Sequence, residues 1–281
     1  MTYAVYSAFY VGVLLYVLAS MASLRYLYGR SDALTAVKAL AAGGAALLLT
    51  TLAIRWAAWG QVPLTTMTDA LNLFVLWGTL IVLFESRRTS MRALAGVCLP
   101  PLTVICLVSA ATAHQYLSVA PRALNGVPLA VHVGSVFLAY ALFFVASMTS
   151  GCYAFQAQRL KRLKTTGLFQ RLPSLEQLDQ TLYRLIGIGY PLFVATLAMG
   201  LAWAWHDRDL LGPHWWLSPK VMLSCGMAVF YAAVFHGRRR GLLRGPKLAY
   251  LFFWVFSAFL VTFLVLGVLH LTNYNFWGSA A

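Results

Sequence analysis

Six histidines, four cysteines and nine tryptophans carry most of the chemistry available to this chain beyond packing. His132 and His270 lie at the margins of two separate apolar stretches. An ionisable ring beside lipid-like surroundings is costly to leave without a partner, so each marks a candidate site. Two imidazoles on different helices at one depth can approach a metal from opposite sides, and haem iron takes imidazole on both axial faces. A porphyrin also needs aromatic surface and cations for its propionates. Trp215, Trp216, Arg55, Arg122, Arg208 and Lys220 are the residues on hand for that. Packed and hydrogen-bonded in a core, the same histidines would need no metal. Zinc would need a third or fourth ligand in tetrahedral array. Asp207, Asp209, His206 and His214 leave zinc open without supporting it.

His236 stands apart, just before the basic run Arg238–Arg240. It reads either as a helix-end residue favoured by the dipole or as a ligand or gate where haem enters. No second histidine lies on its side of the chain, so a bis-imidazole site there would need a ligand from another subunit. His114 and His214 fall in connections, where histidine is ordinarily solvated. Cys98, Cys106, Cys152 and Cys225 sit in apolar segments with no C-x-x-C or C-x-x-C-H spacing. Thiol redox chemistry and covalent haem attachment to this chain are therefore not expected. No nucleophile–base pair stands out, so no catalytic residue is assigned.

The elements that must position these residues follow from composition. The chain is 61% hydrophobic and 10% charged over 281 residues. A soluble domain of that length cannot hide so much apolar surface, whereas a membrane span needs roughly 20 apolar residues. Eight spans are expected, at 5–26, 34–57, 70–84 (starting near Thr68), 93–110, 129–155, 185–205, 219–235 and 248–270. The first is read as a retained span, since no basic segment precedes it as in a signal peptide. Pro100 and Pro101 should kink or briefly break the fourth, and something must then satisfy the freed carbonyls. A basic linker at 156–184 follows the fifth. Its Leu172, Leu175 and Leu178 predict a short interfacial helix.

Seventeen of the 21 Lys and Arg residues fall in alternate connections. The net charge of +14 is thus a membrane-orientation signal and not a nucleic-acid footprint. By the positive-inside rule both termini lie outside the cytoplasm, as an even number of spans requires. The expected fold is an all-α polytopic bundle forming one membrane domain over residues 1–281, in a bacterial-type cytoplasmic membrane. His132, His270, Trp215 and Trp216 then share the outer face. Trp56, Trp59, Trp203 and Trp205 join them, and an interfacial belt would explain many of these indoles.

The segment from Leu178 through Asp179, Tyr183, Arg184 and Tyr190 to Leu192 strongly resembles a stretch of the CcsA/ResC group of cytochrome c assembly proteins. The wider family includes CcmC, CcmF and the smaller HemX-like proteins. Gly60-Gln61-Val62-Pro63-Leu64 through Asp69 resembles the motif after that family's second span, with Asp69 where glutamate is usual. His132 with Tyr140, Leu269-His270-Leu271, and His236-Gly237-Arg238 resemble its histidine sites. The likeness covers residues 50–275. It implies that His132 and His270 are axial ligands of a non-covalent b-type haem. It also implies that Trp215 and Trp216 lie under the porphyrin and that His236 binds haem in transit. Asp69 and Arg55 join the candidate cofactor-binding set. The implied partners are haem, apocytochrome c and a membrane protein with a large non-cytoplasmic domain, which this chain is not expected to supply.

One departure stands out. Where the family reads roughly Trp-x-Trp-Asp-Pro-Lys-Glu, this chain has Trp215-Trp216-Leu217-Ser218-Pro219-Lys220-Val221. Both acids are gone, and with them acceptors that could orient haem or apocytochrome. Three readings follow: a haem-handling core of cytochrome c maturation, a HemX-like accessory that binds haem without attaching it, and a transporter or scaffold that has lost haem.

Overall fold

The computed structural model describes residues 2–29, 33–60, 64, 66–113, 127–163, 171–206, 208, 214–241 and 245–268. Among them are eight α-helices and no strand. They are α1 (Thr2–Leu27), α2 (Ala33–Trp59), α3 (Met67–Glu85), α4 (Arg92–Ala111), α5 (Val127–Lys161), α6 (Leu175–His206), α7 (Pro219–Arg239) and α8 (Pro246–Val268). Each is long and apolar enough to cross a membrane. The chain is a multi-pass membrane protein, as its composition implies.

α1 packs on α2 and α4, α3 lies against α4 and α5, and α5 carries α6 and α8 on its flanks. α7 leans mainly on α6. α3 is the most enclosed span and α7 the least. In lipid, helices gain nothing from hiding apolar surface from one another, so close backbones and hydrogen bonds must hold them. Both are present. Gly44 lets α2 approach α1 so closely that a Cβ there would stand 2.9 Å from the Tyr16 ring. The Tyr16 hydroxyl shares a 2.8 Å hydrogen bond with Thr79 on α3. Ser150 donates to the Ala249 carbonyl at 2.8 Å and Ser147 to the Phe253 carbonyl at 3.3 Å, tying α5 to α8.

The proline pair does not break α4, which runs through Pro100 and Pro101. Pro100 has no N–H to give the Gly96 carbonyl. Ser23 Oγ on α1, which donates to its own Ser20 carbonyl at 2.8 Å, also reaches that carbonyl at 3.4 Å. The freed acceptor thereby shares a hydroxyl from a neighbouring helix.

The basic linker also differs from expectation. α5 continues to Lys161, and α6 starts at Leu175 as one helix. Leu172 and Leu178 do not face an interface. They are buried in a small second core with Met91, Leu94 and Cys152. Interior packing won over the interface because Met91, Ala93 and Leu94, at the start of α4, offered an apolar surface there.

Cross-ties mark the two ends of the bundle. At the basic end, Arg184 Nη2 lies 2.5 Å from Glu85 Oε2 and Arg238 Nη2 lies 2.7 Å from Asp179 Oδ1. Lys38 donates to the Ser86 carbonyl at 2.8 Å. Arg171 donates to the carbonyls of Tyr26 (2.6 Å) and Gly29 (2.8 Å), so the linker is fastened to the end of α1. At the opposite end, Arg55 pairs with Asp69, and Thr68 Oγ1 donates to the Thr112 carbonyl at 2.7 Å. Successive helices therefore alternate in direction.

Candidate functional site

His132 sits in the second turn of α5, at the end opposite the basic connections. Its ring is half-buried and packs against the backbone of α6 at Gly200. A Cβ at Gly200 would stand 2.6 Å from His132 Cε1, so only glycine leaves room for the imidazole. The ring also hydrogen-bonds to the backbone of Thr196, one helical turn away. His132 Nδ1 is buried without a hydrogen-bond partner among the described residues. A buried nitrogen left so is uncommon and calls for an explanation.

Deeper along α5, about 12 Å at helical rise, Tyr140 is buried. It shares a 3.3 Å hydrogen bond with Ser224 of α7. Its ring lies 5.5 Å from Phe193 and 5.1 Å from Phe259, so α5, α6 and α8 meet in aromatic contact around it. Phe143, one turn further, stacks on Tyr231 of α7 at 3.6 Å. These rings join α5, α6, α7 and α8 deeper along the bundle than His132.

Trp215 and Trp216 form a short 3-10 turn directly ahead of α7. Trp215 is half-buried and Trp216 is 54% exposed. Ser218 is the N-cap of α7, its Oγ accepting from the Val221 N–H at 3.5 Å, and Pro219 opens the first turn. Asp and Ser are nearly equivalent as N-caps. The first lost acid therefore stands at a cap position, and serine keeps that cap. The second, now Val221, stands at the third helical position, where an acid would complete a capping box.

Arg55 and Asp69, both candidates for holding a cofactor, are bonded to each other and almost wholly buried. Asp69 also accepts from the Thr66 N–H at 3.2 Å and the Thr66 hydroxyl at 2.8 Å, while its own N–H donates to Thr66 Oγ1. Thr66 and Asp69 thus close the capping box of α3, and the Arg55–Asp69 pair fastens α2 to it.

His236 lies in the last turn of α7 at the basic end, exposed, with Tyr190 and Phe235 edge-on to its ring at 6.1 and 5.3 Å. The segment of α6 from Leu178 to Tyr190 grips this end of α7. Asp179 pairs with Arg238, the Tyr183 ring lies beneath the Arg238 guanidinium at 5.8 Å, and Tyr190 meets His236.

His270, His114, Arg122, Asp207 and Asp209 lie outside the described residues. Among the described residues no group of three or more His, Cys, Asp or Glu is placed to hold a metal ion. Of the expected pair His132 and His270, His132 alone falls among the described residues. The partners of Asp69, Glu85 and Asp179 escaped sequence reasoning. Their signal was scarcity, since the chain has seven acids against 21 Lys and Arg, and these three are each in an ion pair.

Fold and site together define a polytopic membrane protein with a half-buried imidazole at one end, its Nδ1 without a hydrogen-bond partner among the described residues. The chain belongs to the cytochrome c assembly protein family, whose model matches residues 12–274. It is 26% identical over 243 residues to cytochrome c biogenesis protein CcsA of Pyropia yezoensis, covering 73% of this chain and 75% of that protein. It is 27% identical to CcsA of Thermosynechococcus vestitus over 244 residues, covering 71% and 74%. Protein HemX of Brevibacillus brevis is 30% identical over 112 residues, 40% of each chain. No solved structure matches the chain.

Proposed function

We propose that this protein handles haem during cytochrome c biogenesis, holding it at the outer membrane face for transfer to apocytochrome c. The observation that carries the reading is His132. It presents a buried ring nitrogen without a hydrogen-bond partner among the described residues, seated in a cradle that a Cβ at Gly200 would fill. His132 and His270 are the proposed axial ligands, with Trp215 and Trp216 beside the porphyrin and His236 meeting haem at the opposite face. Haem b bound by two imidazoles is a low-spin centre whose potential its ligands tune. Arg55 and Asp69 serve the site by fixing the start of α3. The protein's own part is positioning: it holds one reactant where a second can meet it. A membrane partner with a large non-cytoplasmic domain presents the apocytochrome.

The test is an absorption spectrum of the purified protein, oxidised and dithionite-reduced, beside His132→Ala/His270→Ala and Gly200→Ala. A low-spin b-type spectrum lost in the double variant and altered in Gly200→Ala is expected. An unchanged haem spectrum in the double variant would move the site elsewhere. Absence of haem from the parent even after reconstitution would sink the reading.

A HemX-like accessory role, binding haem without attaching it, is the second reading. Val221 in place of an acid favours it, as does the 30% identity to HemX. Restoring cytochrome c assembly to a strain lacking its CcsA would decide for the first reading. Haem binding without such rescue would decide for the second.

A further inference from the structure

The basic end of the bundle carries cations that its ion pairs do not use. Arg87, Arg88 and Arg92, in the connection from α3 to α4, are exposed. Lys38 on α2 reaches the same connection, its ammonium meeting the Ser86 carbonyl one residue before Arg87. Glu85, the adjacent acid, is buried and committed to Arg184. Among the described residues no carboxylate is in ion-pair contact with Lys38, Arg87, Arg88 or Arg92. The bond from Lys38 to the Ser86 carbonyl uses one of its three donors. Arg92 is the first residue of α4, whose first turn holds no acid. A cation at a helix start works against the dipole, and like charges gathered together repel. An external anion would relieve both.

The neighbouring surface says which kind of anion. α3 is the most enclosed of the spans, yet Leu80 is 43% and Phe84 is 59% exposed. The Arg87 guanidinium lies over the Phe84 ring at 5.8 Å. Leu80 and Phe84 lie one turn apart on one face of α3, which ends at Glu85. This short apolar strip leads to the cations through the Phe84 ring. A free inorganic anion would use the cations and leave the strip idle, whereas a phospholipid would use both. Basic pockets between spans at this membrane face bind anionic headgroups.

We infer that Lys38, Arg87, Arg88 and Arg92, with Leu80 and Phe84, form a binding site for one anionic phospholipid. Its phosphate lies among the cations and an acyl chain lies along α3. The lipid would staple α2, α3 and α4 at the basic end, independently of any haem.

The test is native mass spectrometry of the full chain in mild detergent. The probes are phosphatidylglycerol, phosphatidylcholine of the same acyl chains, and inorganic phosphate. One phosphatidylglycerol retained in preference to phosphatidylcholine is expected. Its affinity should fall on the order of 10- to 30-fold in Arg87→Gln/Arg92→Gln, since each cation lost costs about one order of binding or less. Arg239→Gln/Arg240→Gln, which removes equal charge from the same end, should retain it. Phe84→Ala, a substitution on the exposed face, should weaken the lipid without changing helicity. Equal loss from the two double variants would overturn the site in favour of a diffuse basic face. Competition by inorganic phosphate with no effect of Phe84→Ala would overturn the lipid in favour of a free anion.

Discussion

A single glycine decides how much room His132 has. Gly200 carries no Cβ, and the imidazole occupies the space one would take. At the same scale, the Arg55–Asp69 pair is a commitment made in the interior of an apolar bundle. Two buried charges are tolerable only together, because removing one leaves the other desolvated. Asp69→Ala should therefore lower stability by about 3–5 kcal/mol, read as loss of α-helical circular dichroism at lower denaturant. Arg55→Met combined with Asp69→Ala should recover most of that loss, since it removes both charges. A double variant no more stable than Asp69→Ala would show that other contacts of the pair dominate.

Helix ends and helix seams set the positions of whole elements. α7 is the least enclosed span, so its placement depends on its two ends. At one end Ser218 caps the first turn, and at the other Asp179 and Tyr183 hold Arg238. Ser218→Ala should cost about 1 kcal/mol and loosen the Trp215–Leu217 turn that precedes the cap. Ser218→Asp should restore both. Hydrogen exchange at the start of α7 checks this, and equal protection in parent and Ser218→Ala would refute it. α4 shows the same dependence on neighbours, since its Pro100 is accommodated by a hydroxyl on α1.

For the whole molecule, alternating ties and alternating charge give one expectation of orientation. The positive-inside rule places the basic end in the cytoplasm. Cysteine introduced at His214, in a parent with its four native cysteines replaced, should react with a membrane-impermeant maleimide applied to intact cells. Cysteine introduced at Arg240 should react only after the membrane is opened. The reverse pattern would invert the protein and remove His132 from the outer face.

Eight spans, their approximate limits and the two-sided charge pattern were legible in the sequence. Span length and loop charge are local properties that lipid imposes on any chain. The family was legible too, from the Leu178–Leu192 and Gly60–Asp69 segments and the histidines. Histidine identity marked His132 as a candidate, but its partnerless nitrogen needed the neighbouring helix to be seen. So did the pairing of Arg55 with Asp69, the cap role of Ser218, the burial of Leu172 and Leu178, and the rescue of the Gly96 carbonyl. Each of these depends on which helix stands beside which. A pattern of apolar residues does not encode that choice, because in lipid every apolar face is equally content. Small residues and a few hydrogen bonds select the neighbours, and only the folded bundle shows which of them met.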